Sequence, residues 1–323
     1  MTRSTKKFIS YGIKAIIIAF AYWFIYRSVN NKGELNQFRL LIAKIDHNHV
    51  MATLTAVVLL MLVNWVLEAL KWKYLARQLQ PMTLWRSVEA IFCGLTWAIF
   101  TPNRLGEYGG RVLFLPPHKR VYGVFVMGVG QFGQGTVTNV VGASALLWFL
   151  FSYIHLNAWL MVLCVVLGLA LISFQLICYF NIKWLASWLG HIPFLKKYSR
   201  FFDIIGRYKS DHLIKVMLFC LARFSVFSFQ YYLVIHLLLP ALPAFPVMMM
   251  VFNNFFVQSA LPTLDIIDVG LRGMTASTFF GYITTEKLAV IAAVSSIWLT
   301  NLIIPAILGS VFVLKINFFD RNS

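Results

Sequence analysis

The chain has 323 residues, of which 60% are hydrophobic and only 12% are charged. Soluble domains have roughly 45–50% apolar and about 25% charged residues, so this composition excludes an ordinary soluble enzyme. The formal net charge is +17, but the basic residues flank apolar runs instead of forming one basic domain, which excludes a nucleic-acid surface and favours membrane phospholipids as partners.

Six apolar runs are long enough to cross a bilayer, which takes about 20 residues per helix. They are 8–29, 50–70, 122–151, 158–180, 212–239 and 288–314. The first run follows Lys6 and Lys7, but no small-residue cleavage site follows it, so we interpret it as an uncleaved span and not as a secretion signal. The expected fold class is an all-α, polytopic membrane helical bundle.

Two shorter apolar runs, 88–100 and 245–261, end at Thr101-Pro102 and at Pro262. Proline removes a backbone donor and disfavours helix in the residue before it. Within a membrane, a broken helix must be covered by protein or by a water-filled cavity. We therefore interpret 88–115 and 245–281 as re-entrant hairpins, which enter and leave on one side. The alternative is that both are ordinary spans with polar ends.

The positive charges orient this topology. If both hairpins re-enter, most Lys and Arg residues outside the spans fall on one side, including the six in 181–211. Cytoplasmic loops carry an excess of Lys and Arg. We expect a multi-pass protein of the bacterial inner (plasma) membrane, with both termini and the loop 181–211 in the cytoplasm.

The order of span, hairpin and span occurs twice, and the second copy begins from the opposite side of the membrane. Inverted repeats of this kind are typical of secondary transporters. The expected organisation is a single transmembrane domain, 1–323. It comprises 1–49 (first span and outer loop), 50–151 (repeat 1), 152–211 (connecting span and cytoplasmic loop) and 212–323 (repeat 2). Four glycines of the span 122–151 indicate close helix packing: Gly128, Gly130, Gly133 and Gly135. The alternative is that this stretch, with Gln131, Gln134 and Asn139, forms a substrate path.

The first hairpin carries Arg104, Glu107 and Arg111, which share one helix face at steps of three and four residues. Charged groups within a bilayer usually face a protein interior or water. Two arginines and one carboxylate leave a positive excess that suits a phosphate, which arginine can bind in a bidentate manner. The alternative is that Glu107 only pairs with Arg111 near the membrane surface.

The second hairpin carries Asp265, Asp268 and Arg272, and the last two are spaced to pair. The alternative is a loop at the outer surface. Arg223 lies within the span 212–239 and needs a partner or water at that depth. We predict that these residues bind substrate, together with Arg104, Glu107 and Arg111. We expect no catalytic set, no metal site and no cofactor.

The stretch Pro102-Asn103-Arg104-Leu105-Gly106-Glu107, followed by Arg111, resembles a motif of the lysylphosphatidylglycerol synthase transmembrane family. The resemblance implies the flippase-like membrane half, acting on a lipid head group, without the soluble aminoacyl-transferase half. In the second hairpin the family commonly has a Gly-Gly-x-Gly stretch and a glutamate, where this chain has Asp265, Asp268, Gly270 and Arg272.

We therefore predict a lipid transporter or flippase that moves or binds a phospholipid or another lipid by its head group. A membrane-embedded lipid-linked transferase is one alternative. A non-catalytic partner of a lipid-synthesis complex is another.

Overall fold

The computed structural model describes residues 38–43, 45–98, 101, 104–191, 202, 204–260 and 265–315, apart from the side chains of residues 189, 265–270, 303 and 313–315. Within this part of the chain the regular structure is helical, without strands. The helices include α1 (His47–Ala76), α2 (Leu84–Ala98), α3 (Leu105–Val112), α4 (Arg120–Tyr153), α5 (Ala158–Phe180), α6 (Ile182–His191), α7 (Ser210–Leu238), α8 (Ala244–Ala260), α9 (Asp265–Phe280) and α10 (Lys287–Lys315).

Five of these helices are long and apolar enough to cross a membrane: α1, α4 with the 3-10 turn before it, α5, α7 and α10. They coincide with the predicted spans 50–70, 122–151, 158–180, 212–239 and 288–314, which confirms the all-helical class and these five elements. They are compatible with a multi-pass membrane protein. The predicted first span, 8–29, lies outside the described residues.

Two pairs of shorter helices occupy the segments predicted as hairpins. Helix α2 has 15 residues and packs against α3, which has 8. Helix α8 has 17 residues and packs against α9, which has 16. The connections between the members of each pair contain Pro102 and Pro262, and these two prolines lie outside the described residues.

The two halves of the chain pack against each other in a reciprocal manner. Helices α1 and α7 lie side by side, α4 packs on α8, and α10 packs on α2. Small residues allow such close contact. A Cβ added to Gly309 of α10 would lie 2.2 Å from the Phe92 carbonyl oxygen of α2, and one added to Gly142 of α4 would lie 2.5 Å from Phe256 Cβ of α8.

The four glycines predicted to serve packing in α4 divide into two kinds. A Cβ added to Gly130 would lie 2.8 Å from Leu75 Cδ1, and one added to Gly133 would lie 3.1 Å from Tyr179 Cε2. These two positions confirm the packing prediction. Gly128 and Gly135 have nothing within 4 Å of an added Cβ, so the prediction was wrong for them.

Helix α5 lies at the periphery and exposes an apolar surface, for example at Trp159, which is 86% exposed. The described residues that precede α7 are tied to α1, because the buried hydroxyl of Tyr208 donates to the Leu75 carbonyl oxygen at 2.9 Å. Burial raises the pKa of Tyr208, so this hydroxyl stays a donor at neutral pH. The core between α1, α4, α7 and α10 surrounds the charged groups described next.

Candidate functional site

Glu68 of α1 is the centre of a buried ionic network, with 1% of its surface exposed. Its Oε1 accepts from Arg111 Nη1 at 2.5 Å, and its Oε2 lies 2.8 Å from Lys71 Nζ. Arg223 of α7 also donates to Oε2. A carboxylate buried without partners would cost several kcal/mol, and the three cations supply those partners.

Arg111 bridges two carboxylates. One end of its guanidinium bonds to Glu68, and the other bonds to Glu107, four residues earlier in α3. The predicted alternative, a Glu107–Arg111 pair, is therefore present, but the pair is buried: Arg111 is 2% exposed and Glu107 5%. Arg104 lies nearer to solvent, with its side chain 40% exposed and Nε 3.8 Å from Glu107 Oε2.

The backbone at Arg104 is left-handed, with φ 56° and ψ 28°. No other non-glycine residue in the described part of the chain has a positive φ. This conformation is costly for a residue with a Cβ, and such outliers concentrate at functional sites. Arg104 is the N-cap of α3, so the strained residue is also the one that places its guanidinium at the start of the helix.

The glycines after Arg104 hold α3 against α2. A Cβ added to Gly106 would lie 2.2 Å from the Trp97 carbonyl oxygen, and one added to Gly110 would lie 2.5 Å from Gly94 Cα. The Gly106 amide donates to Thr101 Oγ1 at 2.6 Å. The spacing of these glycines therefore sets the position of Glu107 and Arg111, which lie between and beside them.

Arg223 finds the partners that its position in a span requires. Its Nε donates to Asn64 Oδ1 at 3.0 Å, and its Nη1 approaches Gln134 Oε1 at 3.4 Å as well as Glu68. The guanidinium also lies over the Trp65 ring, 5.6 Å from its centroid, where a cation–π interaction adds to the attraction. Arg223 is therefore fixed by residues of α1 and α4.

Arg272 of α9 donates from Nη1 to Gln258 Oε1 at 2.6 Å, and Gln258 Nε2 in turn donates to Asn254 Oδ1 at 2.7 Å. The side chains of Asp265 and Asp268 lie outside the described residues, so their predicted roles stay predictions.

A cavity of about 510 Å³ lies between these helices. Arg104, Glu107, Arg223 and Arg272 line it, so the structure brings together four of the predicted binding residues, from α3 and its N-cap, α7 and α9. Glu68 also lines it, whereas Arg111 does not. The other lining residues are Asn64, Trp65, Tyr108, Gln131, Gln134, Thr138, Phe224, Phe227, Phe255, Gln258, Ser259, Trp298, Asn301 and Leu302.

The sequence interpretation missed Glu68 and its contacts. Glu68 is the one charged residue in the run 50–70, and a charge within a span is itself a sign of a site. Lys71 directly follows the predicted span 50–70, but α1 continues to Ala76, and Lys71 is 2% exposed beside Glu68. Among the described residues, no group of three or more His, Cys, Asp or Glu side chains could hold a metal ion.

Comparisons of the chain with protein-family models, with curated proteins and with solved structures found no match. The resemblance to the lysylphosphatidylglycerol synthase family therefore stays a prediction, based on the motif that ends at Arg111. Within that motif, the described contacts give Gly106 a role in close packing and give Glu107 and Arg111 a role in the buried network.

Proposed function

We propose that this protein is a lipid transporter or flippase that takes the anionic head group of a phospholipid into the cavity between its helices. The observation that carries the proposal is the convergence of Arg104, Arg223 and Arg272 on one cavity within a bundle of long apolar helices. Arginine is suited to phosphate because its planar guanidinium can bind two oxygens at once.

The charge balance of the network supports an anionic ligand. Among the side chains that the structure describes, three cations, Lys71, Arg111 and Arg223, share two carboxylates, Glu68 and Glu107. A low-dielectric site strengthens the effect of such an excess.

We propose further that α2–α3 and α8–α9 are re-entrant hairpins within an inverted repeat. At 1.5 Å per residue, α3 extends roughly 12 Å, far less than the roughly 30 Å of a hydrocarbon core. The repeat is supported by the reciprocal packing of α4 on α8 and of α10 on α2. In both contacts a glycine of the long helix, Gly142 or Gly309, meets the first helix of the other half's hairpin.

The proposed location is the bacterial inner membrane, with both termini in the cytoplasm. This orientation is supported by the basic residues of 181–211. Helix α6 belongs to that segment and exposes Trp184 and Trp188, four residues apart. Tryptophans of this kind are enriched at membrane–water interfaces. The family that we propose is the flippase-like half of the lysylphosphatidylglycerol synthases, on the basis of the Pro-x-Arg-x-Gly-Glu motif.

A lipid-linked transferase is the second candidate, because Glu68 and Glu107 place carboxylates at the cavity wall. Both of them accept bonds from Arg111, and Glu68 also pairs with Lys71 and Arg223. Cations thus lie at the oxygens of both carboxylates, which leaves these oxygens poorly placed to exchange a proton with a substrate. Charge balance is the role that their contacts favour.

Lipid movement in proteoliposomes tests the proposal. Fluorescent phosphatidylglycerol and phosphatidylcholine analogues are compared by the fraction that an impermeant reductant quenches over time. We expect the protein to speed the movement of phosphatidylglycerol more than that of phosphatidylcholine. Arg104→Gln should reduce this effect about tenfold, the value of one charge-assisted hydrogen bond, whereas Lys287→Gln, at an exposed position outside the cavity, should not. Rates equal to those of protein-free vesicles for both lipids would overturn the proposal.

A further inference from the structure

The cavity wall is rich in side-chain amides as well as in arginine. Five amides line it: Asn64, Gln131, Gln134, Gln258 and Asn301. Hydroxyl groups such as that of Thr138 lie among them. A phosphate diester only accepts hydrogen bonds, so arginine donors alone would satisfy it. A side-chain amide both donates and accepts hydrogen bonds. It therefore matches a ligand hydroxyl, which also donates and accepts.

Some of these amides are occupied by the arginines. Gln134 Oε1 accepts from Arg223, and both ends of the Gln258 amide are bonded, to Arg272 and to Asn254. Gln131 differs, because its side-chain amide makes no hydrogen bond to any other residue that the structure describes. It lies three residues before Gln134 on α4, so both side chains share a helix face. A half-buried amide in this position can turn both its donor and its acceptor toward a ligand.

The remainder of the wall is aromatic. Trp298, Phe227 and Phe255 line the cavity beside the polar groups, and Phe227 stacks on Phe255 with ring centroids 5.3 Å apart. Ligand sites typically combine an apolar wall with a few polar groups that fix orientation. Flat apolar surfaces beside hydroxyl-matching amides fit the carbon skeleton of a sugar or cyclic polyol, whose C–H faces are apolar and whose edges carry hydroxyls.

We propose that the head group is a phosphate diester of a polyol or sugar, with its phosphate at the arginines and its hydroxyls at Gln131 and the neighbouring amides. This inference rests on the proposed function and specifies its substrate. A choline head group lacks this match, because a quaternary ammonium stands where the hydroxyls of a polyol would lie and can donate no hydrogen bond. A soluble polyol phosphate offers the same polar groups without acyl chains, and the experiment must distinguish the two sources.

Calorimetric titration of the full-length protein in detergent with short-chain lipids tests the inference. Dihexanoyl phosphatidylinositol and phosphatidylglycerol carry hydroxyls, whereas dihexanoyl phosphatidylmethanol has the same phosphodiester charge without them. We expect the first two to bind about tenfold more tightly than phosphatidylmethanol, because a site built for hydroxyls leaves polar groups unpaired when they are absent. Phosphatidylcholine should bind most weakly, and soluble inositol 1-phosphate should bind more weakly than phosphatidylinositol.

Each contrary result has one meaning. Equal binding of phosphatidylmethanol and phosphatidylinositol would overturn the polyol inference and leave an anionic-lipid transporter standing. Binding of inositol 1-phosphate as tight as that of phosphatidylinositol would overturn the lipid source. Absence of binding by all the anionic lipids would overturn the proposed function itself.

Substitution of Gln131 tests whether this side chain recognises the hydroxyls of the head group. Gln131→Met removes the amide at similar size and should reduce the preference for phosphatidylinositol over phosphatidylmethanol about fivefold or more. Gln175→Met is the matched control, since Gln175 accepts from Thr136 at 3.5 Å and does not line the cavity. A preference unchanged in Gln131→Met would overturn this placement. If Gln131→Met does not fold, Thr138→Val replaces it, with Thr136→Val as its control.

Discussion

Arg111 and Glu68 join two helices whose contacting residues are 43 positions apart in the chain. Arg111 Nη1 donates to Glu68 Oε1 at 2.5 Å, and neither side chain is more than 2% exposed. Because Glu68 also pairs with Arg223, a single carboxylate ties α1 to both α3 and α7. Glu68 therefore links three of the helices that surround the cavity.

Glu68→Gln should destabilise the protein strongly. The change leaves Lys71, Arg111 and Arg223 without their shared carboxylate in a buried site, and losing one partner of a buried pair costs about 3–5 kcal/mol. The melting temperature of detergent-solubilised protein, followed by size exclusion, measures the effect. Glu286→Gln is the control, because Glu286 is exposed in the turn before α10, and it should leave the melting temperature unchanged. Equal melting temperatures for the two variants would show that the network does not stabilise the fold.

Gly309→Ala should separate α10 from α2. The new methyl group would lie 2.2 Å from the Phe92 carbonyl oxygen and from Thr96 Oγ1. Backbone atoms cannot move aside without shifting a helix, so we expect a loss of about 1–3 kcal/mol or more. Gly128→Ala is the matched control in another long helix, since nothing lies within 4 Å of its added Cβ. It should stabilise the helix by up to about 1 kcal/mol. Thermal denaturation measures both variants, and we expect the melting temperature of Gly309→Ala to be below that of Gly128→Ala. The reverse order would contradict the described packing.

The long apolar helices were predictable, because a run of 20 apolar residues has few alternatives to a membrane span. Arg104 and Glu107 were predictable as candidate site residues, because charged residues are rare within the membrane-embedded parts of proteins. The centre of the network was not recognised. Glu68 is near the end of its apolar run, and the basic residues that follow made that end resemble an ordinary cytoplasmic boundary, although α1 continues to Ala76.

Tertiary partners explain the remaining differences. Gly130 and Gly135 are equally small, but only Gly130 faces a neighbour, Leu75. Which side of α4 meets another helix depends on residues far away in the sequence, and glycine spacing alone cannot report it. The left-handed backbone at Arg104 likewise occurs without a glycine at that position to signal it in the sequence.

The proposed orientation predicts the labelling of two exposed positions. In a cysteine-free background, His155→Cys lies between α4 and α5, and Lys183→Cys lies in α6. An impermeant maleimide applied to intact cells should label His155→Cys and leave Lys183→Cys unlabelled, because the segment 181–211 is expected in the cytoplasm. Permeabilised cells serve as the control, in which both should react. Labelling of Lys183→Cys in intact cells would contradict the proposed orientation.

Substitutions at Arg104 test the left-handed backbone at this position through the stability of the protein. Its φ of 56° suits glycine, so Arg104→Gly should be more stable than Arg104→Ala by about 1 kcal/mol. Leu105 is the next residue and the first of α3. At this position the order should reverse, with Leu105→Ala more stable than Leu105→Gly by about 0.5–1 kcal/mol, as in an ordinary helix. Thermal denaturation of the four variants measures this reversal, and a more stable Arg104→Ala would contradict the described backbone.

The same variants then isolate the guanidinium. Arg104→Gly should yield folded protein that moves phosphatidylglycerol about tenfold more slowly than wild type, because one charge-assisted contact to the phosphate is lost. Arg104→Lys keeps the charge but not the planar fork, so its rate should lie between the two. Rates are normalised to the folded fraction from size exclusion, which prevents a loss of stability from being counted as a loss of transport. A wild-type rate in well-folded Arg104→Gly would remove Arg104 from the site and leave Arg223 and Arg272 as the arginines that contact the head group.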